Sequence, residues 1–140
     1  MSEDLHFENS ELVLDGTKIQ WHYDRVKAWE RGERISPITI DLALTRSCNY
    51  GCHFCYAMLQ ENEKKVITKE HIFNFLEDCK EIGVKGISLV GDGESSQSPI
   101  FIDTIVKGGQ LGLDMACASN ALVINKNKAE IILPHMTYLR

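Results

Sequence analysis

Ile38-Thr39-Ile40-Asp41-Leu42-Ala43-Leu44 runs through Thr45-Arg46-Ser47 into Cys48-Asn49-Tyr50-Gly51-Cys52-His53-Phe54-Cys55. The first part is β-branched and apolar and reads as a core strand. The second carries three cysteines spaced C-x3-C-x2-C, directly after that strand's carboxyl end. Thiolates are soft ligands, and iron–sulfur clusters are held mainly by cysteine thiolates. Four would close a [4Fe-4S] cluster. Three in one loop, with no nearby fourth, leave one iron open to an outside ligand, which suits catalysis better than simple electron transfer. Structural zinc or plain buried thiols are the alternatives. His53 is the tempting fourth zinc ligand, but it lies between two cysteines and reads better as a solvated or substrate-side histidine.

Downstream, strand and helix alternate. Thr68 is a good N-cap for a helix to about Ile82, whose apolar stripe is Ile72, Phe75, Leu76, Cys79 and Ile82, with Gly83 as the stop. Gly86–Val90 reads as a second strand ending in Gly91-Asp92-Gly93-Glu94. Ser98 and Pro99 supply an N-cap and first-turn proline for the next helix, which carries Ile102, Ile105 and Val106. Gly108-Gly109 weakens its last turn. Asp114–Ala118 is a third strand ending at Ser119-Asn120. A helix over about Asn127–Leu133 stops at Pro134, and Thr137–Arg140 begins a fourth strand. This rhythm argues an α/β fold with a parallel sheet and crossover helices. Ligands of such sheets sit at the carboxyl ends of the strands. The cysteine loop, the Gly-Asp-Gly-Glu turn and Ser119-Asn120 are all at such ends, so all three are expected to face one pocket.

Upstream, Leu12-Val13-Leu14 and Lys18–Trp21 flank Asp15-Gly16 and read as a β-hairpin. Val26 and Trp29 recur at helical spacing between Tyr23 and Arg31, with Gly32 as the stop and Trp29 as a packing residue. Residues 1–37 are therefore read as a lead-in of hairpin plus short helix, and residues 38–140 as the core domain.

The chain has 140 residues, 44% of them hydrophobic, which is ordinary for one globular domain. Its formal net charge of -5 argues against a general nucleic-acid binder. No apolar run reaches membrane-spanning length, and the acidic start is unlike a secretory signal, so a cytoplasmic home is expected. Five cysteines, an odd number with three clustered, suit a metal site in a reducing compartment better than a disulfide framework.

The cysteine spacing, with aromatic Phe54 just before the third cysteine, resembles the radical S-adenosylmethionine (radical SAM) superfamily. The resemblance covers roughly Ile38 to Arg140 and implies a partial (β/α) barrel, incomplete here after about three β/α units. It implies a [4Fe-4S] cluster on Cys48, Cys52 and Cys55, whose open iron chelates S-adenosyl-L-methionine. Reductive cleavage would then yield a 5′-deoxyadenosyl radical that abstracts hydrogen from an unidentified substrate. A reductant such as flavodoxin or ferredoxin would be the partner. Phe54 would lie near adenine. Gly91, Asp92, Gly93 and Glu94 resemble the family's Gly-Gly-Glu motif, which recognises the methionine amino group, with Glu94 ahead of Asp92 as the acid. Ser119 and Asn120 resemble the polar pair that contacts the cofactor's methionine or ribose. Cys79 and Cys117 are read as core residues. A non-catalytic iron–sulfur or zinc module, or an inactive piece of a longer radical enzyme, is the rival reading. As it stands, the chain is expected to leave the edge of its last strand unpaired.

Overall fold

The computed structural model describes residues 21–59 and 66–140; the expected hairpin falls outside these except for Trp21. The chain divides into two compact units, Met1–Ile35 and Ser36–Arg140. In the first, α1 spans Tyr23–Glu30 and ends as its glycine suggests, with Gly32 at φ +79° donating to the Trp29 carbonyl at 2.8 Å. The helix buries none of its residues, and Trp29 is exposed where a packing role was expected. Within the helix, Lys27 lies over the Tyr23 ring.

The second unit is a four-stranded parallel sheet in the order β1-β2-β3-β4, with β1 Thr39–Asp41, β2 Gly86–Leu89, β3 Asp114–Cys117 and β4 Tyr138–Leu139. Three helices make the crossovers: α2 Lys69–Glu81, α3 Phe101–Gln110 and α4 Lys126–Ile132. The open, all-parallel arrangement follows from the strand–helix alternation, because parallel neighbours need a crossover between them.

Period-two alternation separates the faces of the sheet. Ile87, Leu89, Met115 and Cys117 are buried in one core with Ile72, Leu76, Phe101, Ile105 and Ile132 of the helices. The intervening positions are small or polar. Asp41, Ser88, Ala116 and Tyr138 form one row across the four strands, and none of them is buried. A sheet with apolar residues on one face and Asp, Ser and Ala on the other covers a core on one side and leaves the other side polar.

Several boundaries move from their expected places. The strands are shorter than the apolar runs: β1 ends at Asp41, although Leu42 still donates to the Ser88 carbonyl at 2.8 Å. Ser98 and Pro99 do not start α3. Ile100 holds the N-cap without a side-chain hydrogen bond, because Ser95–Gln97 form a separate 3-10 turn capped by Glu94. Asn125, not a residue nearer 127, caps α4 through the Lys128 N–H at 3.0 Å. Pro134 lies inside a 3-10 turn, Leu133–His135, that extends the helix before β4. Thr68 caps α2 as expected, accepting from the His71 N–H.

Gly108 and Gly109 do not fray α3; they let it approach its neighbours. A Cβ on Gly108 would collide with the Met115 side chain, and one on Gly109 would lie 2.7 Å from His135 Cβ and 3.0 Å from its carbonyl oxygen. Alanine gains about 1 kcal/mol in helix propensity over glycine, whereas overpacking costs about 1–3 kcal/mol. Close approach wins here because the atoms met at Gly109 include backbone. Gly109→Ala is expected to lower unfolding stability by about 1 kcal/mol, read from the urea midpoint; a raised midpoint would contradict this packing.

Candidate active site

Three loops leave the carboxyl ends of β1, β2 and β3, and one carboxylate joins two of them. Glu94 is buried, 4% exposed. Its Oε1 accepts from the Ser96 N–H at 3.0 Å, the Ser96 hydroxyl at 2.5 Å and the Ser119 hydroxyl at 2.8 Å, while Oε2 accepts from the Asn120 N–H at 2.8 Å. Burial by itself raises the Glu94 pKa, but these donors outweigh it and hold the group below its ordinary 4.5. The side chain therefore stays ionised and ties the β2 loop to the β3 loop. Four acceptor positions are available on a carboxylate, and Oε2 has used one of its two.

The same turn seats the cysteine loop. The Glu94 N–H donates to the Ser47 carbonyl at 2.8 Å. Gly93 has φ +76°, and a Cβ there would fall 2.5 Å from the Thr45 carbonyl oxygen and 2.8 Å from that of Ser47. Glycine is required twice over, for its backbone angle and for its missing side chain. Gly91 is similarly pressed, its absent Cβ within 2.7 Å of Ala43 Cβ. Arg46 reaches Asp92 at 3.4 Å. Asn120 Nδ2 donates to Asn49 Oδ1 at 2.8 Å, linking the β3 loop to the cysteine loop. All three loops thus meet, as the strand-end pattern predicts.

Within the cysteine loop, Cys48 is exposed and Cys52 and Cys55 are half-buried; all three are free. The Tyr50 N–H donates to Cys48 Sγ at 3.4 Å, and the Cys55 N–H to the Cys52 carbonyl at 3.0 Å. Phe54 is 79% exposed and stands edge-on to His53, ring centroids 5.1 Å apart. Cys79 and Cys117 are buried in the core. Burial, with Glu94 adding to it, pushes the Cys117 thiol up to about 12, so it remains protonated. Burial, and secondarily Asp78, raises the Cys79 thiol as well.

The donor set fits an iron–sulfur cluster with one protein ligand missing. Three accessible thiols share one loop, and the remaining two cysteines are committed to the core. Among the described residues, no group of three Cys, His, Asp or Glu side chains is gathered closely enough to hold a metal ion. A [4Fe-4S] cluster would take each thiolate on a separate iron. Among the described residues, the buried amide nitrogen beside the first cysteine, Asn49 Nδ2, has no partner. An unsatisfied buried donor costs about 1–3 kcal/mol, so the loop is arranged for an acceptor other than the chain itself.

Sequence reasoning missed Asn49, Ser47 and Ser96 as parts of this assembly. The available signal was local: a carboxylate two residues before a serine is an N-capping pattern. The long-range partners of these residues carry no sequence mark.

Glu94→Gln tests the junction. The amide would set an NH2 group against the Asn120 N–H, donor facing donor, at a cost of about 2 kcal/mol near neutral pH. Because the folded pKa lies below the unfolded one, the carboxylate's contribution is complete above the ordinary value. It is lost as pH falls through the lower folded value. The wild-type chain should therefore lose stability on acidification below about pH 4.5, and Glu94→Gln should lose less over that interval. Identical pH profiles would contradict the role given to this carboxylate.

Comparisons with known proteins identify the family. The family described as the Radical SAM superfamily matches residues 42–138. The chain is 26% identical over 113 residues to an S-adenosylmethionine-dependent nucleotide dehydratase of Flammeovirga pacifica, covering 77% of this chain and 37% of that protein. It is 28% identical over 96 residues to the sporulation killing factor maturation protein SkfB of Bacillus subtilis, covering 69% and 23%. The chain therefore spans little more than a third of the first relative and about a quarter of the second. Streptococcus suis SuiB bound to S-adenosylmethionine shares the fold with a TM-score of 0.66 at 20% identity, over 86% of this chain and 28% of that one. The family match covers well over half of the chain, from the end of β1 into β4: this chain belongs to the radical SAM superfamily.

Proposed function

We propose that this chain supplies the cluster-binding and cofactor-binding half of a radical SAM enzyme, with residues 38–140 as the core domain. The observation that carries the reading is the Glu94 junction, which draws the β2 and β3 loops together while its own turn supports the backbone ahead of Cys48. Cys48, Cys52 and Cys55 would hold a [4Fe-4S] cluster. Bound there with S-adenosyl-L-methionine, it would supply one-electron reductive cleavage of the sulfonium and hydrogen abstraction from a substrate. The electron would come from a reductant such as flavodoxin or ferredoxin.

The chain's own residues have three tasks in this scheme. They hold the thiolates on a seated loop, offer acceptors to the cofactor's ammonium group and line the approach to the reacting centre. Gly91, Asp92, Gly93 and Glu94 form the turn that receives the ammonium. Glu94 Oε2 has one acceptor position to give, and Asp92 provides a second carboxylate, already paired with Arg46. We assign Ser119 and Asn120 to contacts with the methionine or ribose, and Phe54 to cover adenine. Asp41 and Ser88, on the polar row of the sheet, face the side where substrate would lie.

Relatives named for nucleotide dehydration, GTP cyclisation and maturation of a sporulation killing factor are similar to this core. The scaffold accordingly serves several substrates, and the reading stops at the shared chemistry. Among the described residues no helix is long and apolar enough to cross a membrane. Five free thiols suit a reducing compartment, and we assign the protein to the cytoplasm.

Anaerobic reconstitution with iron and sulfide, followed by EPR of the reduced protein, tests the assignment. A [4Fe-4S] signal perturbed by S-adenosyl-L-methionine is expected, and Cys52→Ala should abolish the signal. Stoichiometric zinc in place of iron, or a cluster indifferent to the cofactor in the full chain, would overturn the reading.

A further inference from the structure

The orientation of Asn49 is fixed by a chain of hydrogen bonds that begins in a different loop. Asn120 Oδ1 accepts from the Leu122 N–H at 3.1 Å, so the amide nitrogen of Asn120 is the group that faces Asn49. That nitrogen donates to Asn49 Oδ1 at 2.8 Å. Turning the Asn49 amide over would bring two NH2 groups together, which the network forbids. The Asn49 nitrogen must therefore point away from Asn120, and there it is buried with no partner among the described residues. Two ends of one amide are thus treated differently: the oxygen is secured by the β3 loop, and the N–H2 group is held ready without an acceptor.

We propose that Asn49 donates this N–H to a sulfur of the cluster, as a positioning residue that raises the cluster's reduction potential. The proposal rests on the radical SAM reading above. Three observations select sulfur as the acceptor. Asn49 adjoins the first ligand, Cys48, in the chain. The next residue already turns its backbone N–H onto a ligand sulfur, Tyr50 to Cys48 Sγ at 3.4 Å. Among the described residues neither an oxygen nor a cysteine sulfur is within hydrogen-bond reach of the amide nitrogen, which leaves the acceptor to a group that the cluster itself brings. A hydrogen bond to cluster or thiolate sulfur stabilises the form with more negative charge, which is the reduced one. The role is electrostatic, and no bond to Asn49 is made or broken.

The same geometry separates the amide's two ends experimentally. Asn49→Ala removes both the donor to sulfur and the acceptor for Asn120. Asn120→Ala removes the tie between loops and the acceptor for the Leu122 N–H but keeps the Asn49 nitrogen, which a sulfur acceptor can then orient by itself. Both variants and the wild type would be studied as full chain, reconstituted anaerobically, without S-adenosyl-L-methionine and then with it. Without the cofactor, Asn49→Ala should lower the ratio of reduced to oxidised cluster at fixed potential by up to about tenfold, equivalent to about 59 mV for one electron. Asn120→Ala should move it much less. In wild-type protein carrying side-chain 15N-asparagine, pulsed EPR of the reduced cluster should show a 15N coupling before any cofactor is added.

Equal shifts in the two variants would mean that Asn49 acts only through the tie between loops, and would overturn the proposal. A 15N coupling that appears only with S-adenosyl-L-methionine would place the acceptor on the cofactor and overturn it too. Absence of coupling in the wild type would do the same, whatever the variants' stability. In each of these cases a cluster that responds to the cofactor leaves the radical SAM reading standing. If no cluster assembles in the wild type, that reading fails first.

Discussion

A carboxylate held out of water with four donors around it is the constraint on which this structure turns. Burying an ion is costly unless its acceptor positions are filled. Glu94 can be buried only if Ser96, Ser119 and Asn120 all present donors, so the β2 and β3 loops must take up one mutual arrangement. The same residue's N–H is committed to Ser47, which brings in the backbone leading to Cys48. The charge and the backbone of one residue therefore constrain three segments that are distant in sequence. A catalytic constellation needs loops whose relative positions are fixed before ligand arrives; the junction provides that without occupying the thiolates.

Glycine does the complementary work. Where Glu94 attracts, Gly91 and Gly93 permit the β2 turn to lie against Ala43 and Thr45–Ser47 at distances no side chain allows. The familiar explanation of a glycine-rich turn is close approach to a ligand. Here the approach is to the chain itself. Farther from the site, Gly108 and Gly109 bring α3 onto Met115 and His135, which fixes the sheet that carries the loops.

Much of this was legible in the residues. The alternation of strand-like and helix-like segments gave the parallel sheet, because periods of two and 3.6 are written directly in the apolar positions. Thr68 and Gly83 announced the ends of α2 through local chemistry. The three cysteines and the strand-end location of the other polar loops pointed to a single site. What could not be read was decided by tertiary contact. Ser98 and Pro99 looked like a helix start, but Glu94 captured the preceding turn. Gly108-Gly109 looked like a frayed end, since a breaker and a close-packing residue have the same letter. The amphipathic look of α1 suggested burial of Trp29, yet periodicity names a face without naming what covers it. Asn49 is the sharpest case: within a motif defined by cysteines it appears to be filler, and only its bond to Asn120 reveals an oriented, unsatisfied amide.

The central claim is that the protein itself holds the three loops together before cluster or cofactor binds. Residue-resolved amide hydrogen exchange on metal-free protein tests it most directly. The N–H groups of Glu94 and Asn120 lie outside the sheet ladders and helices, and that of Ser96 lies in the short 3-10 turn and bonds to the Glu94 side chain, all places where amides ordinarily exchange through small local openings. If the junction is preformed, these three should be protected together, at levels approaching those of Ile87 and Met115 in the central strands. Exchange of all three at the rates of exposed loop amides, with the strands still protected, would contradict the account and leave loop assembly to the cofactor.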